Sequence, residues 1–248
     1  MTEVIKKTLR EDPIIEALFE IRFSCKQGLP NNLLAGVLYN ALKEKFPKSE
    51  TLDINNLPTE IRERDPSLRY EAYQRFSGDN GQVNVGPRVF SVACTRPYMG
   101  WDAFKPLIVD CLKHLNSTGF VEKVERYSLR YINVFQASND LSEQYSKINF
   151  HGALGGIDLS KIKTQMQMEF LENDILQKVS ISSNTNVKFS YRNETLSGLM
   201  LDIDCISHSV DDDFWEDASV KIDKIHNAVT DIFFQTANKE ALYGYGYE

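Results

Sequence analysis

Strict period-two alternation, met three times along the chain, constrains this sequence more than any other feature. In PIIEALFEIRFS (13–24), Ile15, Ala17, Phe19, Ile21 and Phe23 fall on one side of an extended strand, and Glu16, Leu18, Glu20, Arg22 and Ser24 on the other. RYSLRYINVF (126–135) repeats the pattern, with Tyr127, Leu129, Tyr131 and Phe135 opposite Arg126, Ser128 and Arg130. GLMLDIDCI (198–206) sets Leu199, Leu201, Ile203 and Cys205 against Met200, Asp202, Asp204 and Ile206. Such strands belong to a sheet with one face on a core and the other carrying charge.

Between the first two strands the period changes to that of helices. Leu33, Leu34, Val37, Leu38, Ala41, Leu42 and Phe46 predict a helix over 31–46, stopped by Pro47. Phe104, Leu107, Ile108, Cys111, Leu112 and Leu115 predict a second over 102–117, ended by Gly119. Two strand-like runs, 68–77 and 82–94, flank SGDNG and read as a hairpin, with Gly86–Pro87 marking a bulge or an edge. Residues 47–67 show no period and read as a loop. The resulting order, β-α-β-β-α-β, is that of a ferredoxin-like half, in which the first and last strands are not expected to be neighbours. Beyond residue 136 the chain reads as a loop-rich stretch, strands over 163–171, 175–190 and 197–207, and a long helix over 213–236. The expected architecture is α+β with antiparallel sheet: a ferredoxin-like first half (1–136), a β-meander plus C-terminal helix (137–240), and a flexible Tyr/Gly tail (241–248).

With 248 residues the chain can bury a sizeable core without a disulfide or a metal. Its formal net charge of −7 argues against bulk nucleic-acid or anionic-membrane binding. The cysteines, Cys25, Cys94, Cys111 and Cys205, form no CxxC and sit among apolar residues, which suits small buried hydrophobes in a reducing compartment. No signal-peptide core and no spanning apolar run is present, so a cytoplasmic location is expected.

Several groups invite a chemical reading. Glu16, Glu20, Arg22, Arg126 and Arg130 share the polar side of the sheet. They form a solvated face of weak ion pairs, a packed ionic layer, or a site where two arginines hold a phosphate or carboxylate; we take them to mark a face that meets something. Tyr98 and Trp101 flank Gly100 before a helix start, where they cap the core or stack on a ring beside an anion. Asp211, Asp212, Asp213, Glu216 and Asp217 suit a helix N-terminus better than a metal. His226, with Asp223 on the preceding turn, reads as a structural histidine, and Asn133 as a buried amide with structural bonds. HGALGG (151–156) lacks the Lys-Ser/Thr ending of a phosphate loop, and no nucleophile-elbow, Walker A, zincin or dinucleotide fingerprint occurs. No cofactor is implied. Tyr243, Tyr245 and Tyr247 make the glycine-rich tail adhesive, a free terminus or a docking peptide.

PIIEALFEIRF, VNVGPRVFSV followed by PYMGWDAF, RYSLRYINVF and KIHNAVTDIFFQTA, in that order and spacing, resemble the landmarks of a sporadically distributed, functionally uncharacterised prokaryotic protein family of similar length. The signatures fall at Gly100–Trp101 and Leu129–Asn133, and no catalytic residues come with them. The resemblance implies a setting in mobile or conflict-related genes, such as antiphage defence or toxin–antitoxin modules. The expected function is a non-enzymatic binding or regulatory protein holding a protein partner from a neighbouring gene or a second copy of itself. The alternative is an enzyme or sensor for a nucleotide-like or other anionic small molecule, with Arg126 and Arg130 on the anion and Glu16 or Glu20 as acid/base. RNA binding on the open sheet requires exposed aromatics there, and these strands place theirs on the apolar side.

Overall fold

The structure is a computed structural model that describes residues 9–26, 33–79, 81–189, 193–207, 209–210 and 214–247. The period-two runs form long strands: β1 (Ile14–Cys25), β6 (Val121–Gln136), β10 (Ile175–Phe189) and β11 (Glu194–Ser207). Shorter strands are β2 (Lys48–Thr51), β3 (Gln74–Ser77), β4 (Gly81–Val85), β5 (Val89–Thr95) and β9 (Gln165–Glu172), with β7 (Ala153–Leu154) and β8 (Ile157–Asp158) as a separate ribbon. All but the ribbon join one nine-stranded antiparallel sheet in the order β2-β3-β4-β5-β1-β6-β11-β10-β9.

That order overturns the ferredoxin-like first half followed by a meander. Residues 82–94 are not one strand. Gly86 turns the chain, its N–H bonding the Val89 carbonyl at 2.9 Å, so β4 and β5 form a hairpin of their own. A Cβ at Gly86 would sit 2.2 Å from the Glu71 carbonyl oxygen, which explains the glycine. Residues 48–51, read as loop, add β2 at the edge. The first and last strands are direct neighbours, with Leu18 opposite Arg130, Glu20 opposite Ser128 and Arg22 opposite Arg126. Finally, β11 pairs with β6, so the later strands extend the same sheet.

Helices α1 (Leu33–Leu42), α3 (Trp101–Ser117) and α5 (Ala218–Thr236) lie on one face; α2 (Thr59–Arg64), α4 (Leu141–Tyr145) and α6 (Lys239–Tyr243) are short. Their apolar stripes meet Ala17, Phe19, Ile21 and Phe23 of β1, Leu129 and Phe135 of β6, and Leu201 and Ile203 of β11 in one core. Burying side chains of this size contributes about 1.5–3 kcal/mol each before entropy is counted. Cys94, Cys111 and Cys205 are buried there as free thiols, and Cys25 is half-buried. α5 lies over β6 and β11, and α3 over β5. Among the described residues the helical layer stops at α5, and on β9 Met168 and Phe170 stay exposed.

Candidate binding surfaces

Alternation sends Glu16, Glu20 and Arg22 of β1, Arg126 and Arg130 of β6, and Asp202 and Asp204 of β11 onto the face without helices. Arg22 and Arg126 stand directly opposite each other, a like-charge pair that is unfavourable alone. Glu20 resolves it: its Oε1 accepts from Arg22 Nε at 2.7 Å and from Arg126 Nη2 at 2.9 Å. The Arg22 guanidinium also lies 4.6 Å from the centre of the Tyr70 ring, and Tyr70 donates to Glu125 at 2.7 Å. Arg130 grips Asp202 with both prongs, Nε to Oδ1 at 2.8 Å and Nη2 to Oδ2 at 2.6 Å. Arg75 Nε donates to Asn84, whose amide donates to Ser91, both at 3.0 Å, carrying the polar layer toward β2.

Burial and charge compete within this layer. Burial raises the Glu16 carboxyl, opposed by Arg130 and Arg75. Asp204 lies between Arg130 and Lys178 in the cross-strand register, yet burial pushes its carboxyl up from 3.8 to about 6. Its Oδ1 and the Arg126 Nε are buried without a hydrogen-bond partner. Each arginine of the layer is thus held by the chain's own groups: Arg22 and Arg126 by Glu20, Arg130 by Asp202.

The other candidates lie elsewhere, so the residues singled out above occupy three places. Tyr98 and Trp101 sit on the helical face. The Tyr98 and Tyr131 hydroxyls meet at 3.0 Å, and Trp101 stacks on His226 with centroids 3.7 Å apart and planes 9° from parallel. Burial lowers His226 to about 4, leaving it neutral near pH 7. Lys105 bonds Asp223 at 2.6 Å and ties α3 to α5 beside it. Asn133 is buried and donates to the Leu201 carbonyl at 3.1 Å. At the C-terminal end, Tyr245 meets Phe135 edge-on at 6.0 Å and its carbonyl accepts from the Arg10 and Glu11 N–H groups, while Tyr247 lies 5.5 Å from Phe234. Tyr243 is exposed. Asp211, Asp212 and Asp213 lie outside the described residues; among those described, no group of three His, Cys, Asp or Glu is arranged to hold a metal, and no helix is long and apolar enough to cross a membrane.

One surface has no counterpart in the alternation argument. Beyond α5, a groove of about 490 Å³ has Ile175, Gln177, Val179 and Ile181 of β10 as its floor. Met168 and Phe170 of β9 form one wall, and Lys224, Asn227 and Asp231 of α5 the other. Gln177 is only 3% exposed; its Oε1 has no hydrogen-bond partner, and its Nε2 reaches Glu172 only at 3.4 Å. Its signal is a polar residue on the apolar side of a strand, the same signal that Asn133 gives; the Asn133 Oδ1 is likewise buried without a partner, but Asn133 lies within the sheet under the helical layer while Gln177 lines the groove. No family model matches this chain, and no curated protein matches it.

Proposed function

We propose that this chain is a non-enzymatic binding protein that receives a protein partner on the β9–β10 end of its sheet. The orphaned Gln177 carbonyl on the otherwise apolar β10 floor of a groove whose α5 wall is polar carries the reading. A buried acceptor without a donor costs about 1–3 kcal/mol. A segment that covers Met168 and Phe170 and offers an N–H to a Gln177 amide turned into the groove removes that cost while covering apolar surface, the combination that binding grooves use. The charged face suits a structural layer better, because its arginines are engaged by Glu20 and Asp202. The alternative reading, an enzyme or sensor with an anion on Arg126 and Arg130, requires the ligand to displace the two-pronged Asp202 pair, and we place it second. A partner encoded beside this chain, as in antiphage or toxin–antitoxin operons, follows from the sequence resemblance alone.

Native mass spectrometry of the chain co-expressed with its neighbouring genes tests this. A heteromeric complex that survives Arg130→Ala and is lost in Phe170→Asp supports the groove. Loss in Arg130→Ala with survival in Phe170→Asp moves the contact to the charged face. A small anionic adduct that Arg130→Ala abolishes restores the alternative.

A further inference from the structure

The two edges of the sheet are built differently. β2 is four residues long, follows Pro47 and carries Lys48 and Glu50, the devices by which sheets discourage further pairing. β9 has eight residues with no Pro and no Lys; its charges are Glu169 and, at the turn, Glu172. Met168, Phe170 and Leu171 are 39%, 44% and 56% exposed on it, and Glu169 is engaged by Lys178 at 2.9 Å rather than guarding the edge.

The hydrogen-bond parity of β9 is determined at both ends. Asn173 and Asp174 have φ of 50° and 63°, a two-residue hairpin turn of the primed kind, so the flanking pair Glu172–Ile175 is hydrogen-bonded. At the far end the Ser183 N–H bonds the Thr164 carbonyl at 3.0 Å. Even-numbered residues therefore bond inward to β10. Gln165, Gln167, Glu169 and Leu171 aim their N–H and C=O groups outward, where among the described residues they meet no backbone partner.

We infer that β9 pairs antiparallel with β9 of a second copy of this chain, about a two-fold axis normal to the sheet at Met168. This deepens the reading of the β9–β10 end as the contact surface and rests on it. Such an axis keeps both helical layers on one side and gives an isologous contact. It sets Gln167 opposite Glu169, Gln165 opposite Leu171 and Met166 opposite Phe170, and every outward backbone group finds its counterpart. An axis at Glu169 would oppose two carboxylates. An axis at Gln167 would leave Phe170, Leu171 and Glu172 beyond the end of the partner strand, where the Met168 axis leaves only Glu172. The charge pattern and the strand length thus select the Met168 register, and the pairing brings the two grooves side by side.

Sedimentation equilibrium of the purified full chain is expected to give twice the chain mass. Gln167→Pro removes one outward N–H and no inward bond, and is expected to yield a monomer with an unchanged circular dichroism spectrum. Met168→Cys places two thiols at a non-hydrogen-bonded pair, about 4.5 Å between Cα atoms, within disulfide reach. It is expected to cross-link on oxidation, whereas Phe170→Cys, opposite Met166, does not. Three results overturn the inference: a wild-type monomer at about 100 µM, well above the micromolar range of weak specific pairs; a dimer that persists in folded Gln167→Pro; or a dimer in which Met168→Cys does not cross-link. A monomer that still takes its partner in the groove refutes the pairing alone, and a dimer that takes none refutes the partner reading alone.

Discussion

Asp204 gives the sharpest quantitative handle on the charged layer. Its carboxyl is pushed up from 3.8 to about 6 by burial, which outweighs the attraction of Arg126 and Arg130, while Asp202 and Glu20 add to the rise. A folded-state value above the unfolded one means that the folded chain holds this proton longer. The group's contribution is therefore fully favourable below about pH 4 and is lost as the pH rises through about 6. A shift of about two units corresponds to about 3 kcal/mol of destabilisation at neutral pH. Asp204→Asn keeps the shape and removes the ionisation. Urea unfolding of both proteins should give equal stabilities near pH 4. The variant should gain steadily between about pH 4 and 6, and be more stable by up to about 3 kcal/mol near pH 7.5, with unchanged m-values. Glu16, raised in the same direction, titrates in both proteins and cancels. A difference that does not change with pH, or a variant less stable near pH 7.5, would refute the reasoning. Asp204 would then be well solvated, or needed as a charged partner by Arg130 and Lys178.

Three further outcomes follow from contacts already described. A Cβ at Gly198, where φ is +151°, would lie 2.0 Å from the Phe135 carbonyl oxygen. Gly198→Ala must therefore part β6 from β11, and should lower the thermal midpoint by about 5 °C or more by calorimetry. In a double-mutant cycle of Asp202→Ala and Arg130→Ala the coupling should be about 1 kcal/mol. Although Asp202 is buried, the Arg130 side chain is 41% exposed, which holds the value well below that of a fully buried pair. Tyr131→Phe should cost about 1 kcal/mol in urea unfolding by breaking the hydroxyl pair with Tyr98.

What was legible in the sequence was facing, and what was not was neighbourhood. Period-two alternation placed Phe19, Leu129 and Leu201 in the core and Glu20, Arg126 and Arg130 on the opposite face, because the pleat alone decides it. Which strands adjoin depends on pairing across long stretches of chain. Arg130 finds Asp202, 72 residues away, and no local pattern announces that. β2 was hidden because KSET is exposed at every position and has no apolar side to show. Gly86–Pro87 carried a signal of irregularity, but a bulge and a hairpin turn call for the same residues. The groove depends on a further long-range fact. The groove exists because α5 covers β11 and leaves the β9 side of β10 open, and Gln177 is buried in its floor.

The central claim is that β9 is a contact edge rather than a free one. Residue-resolved amide hydrogen exchange of β9 tests it most directly, because neighbouring amides on one strand serve as each other's controls. The N–H groups of Met166, Met168 and Phe170 bond to β10 and should be protected under all conditions. Those of Gln165, Gln167, Glu169 and Leu171 should be protected to a similar degree in concentrated protein and lose that protection on dilution. If those four exchange at unstructured rates at every concentration, and also when the chain is purified with its partner, β9 is a free edge and the account is wrong.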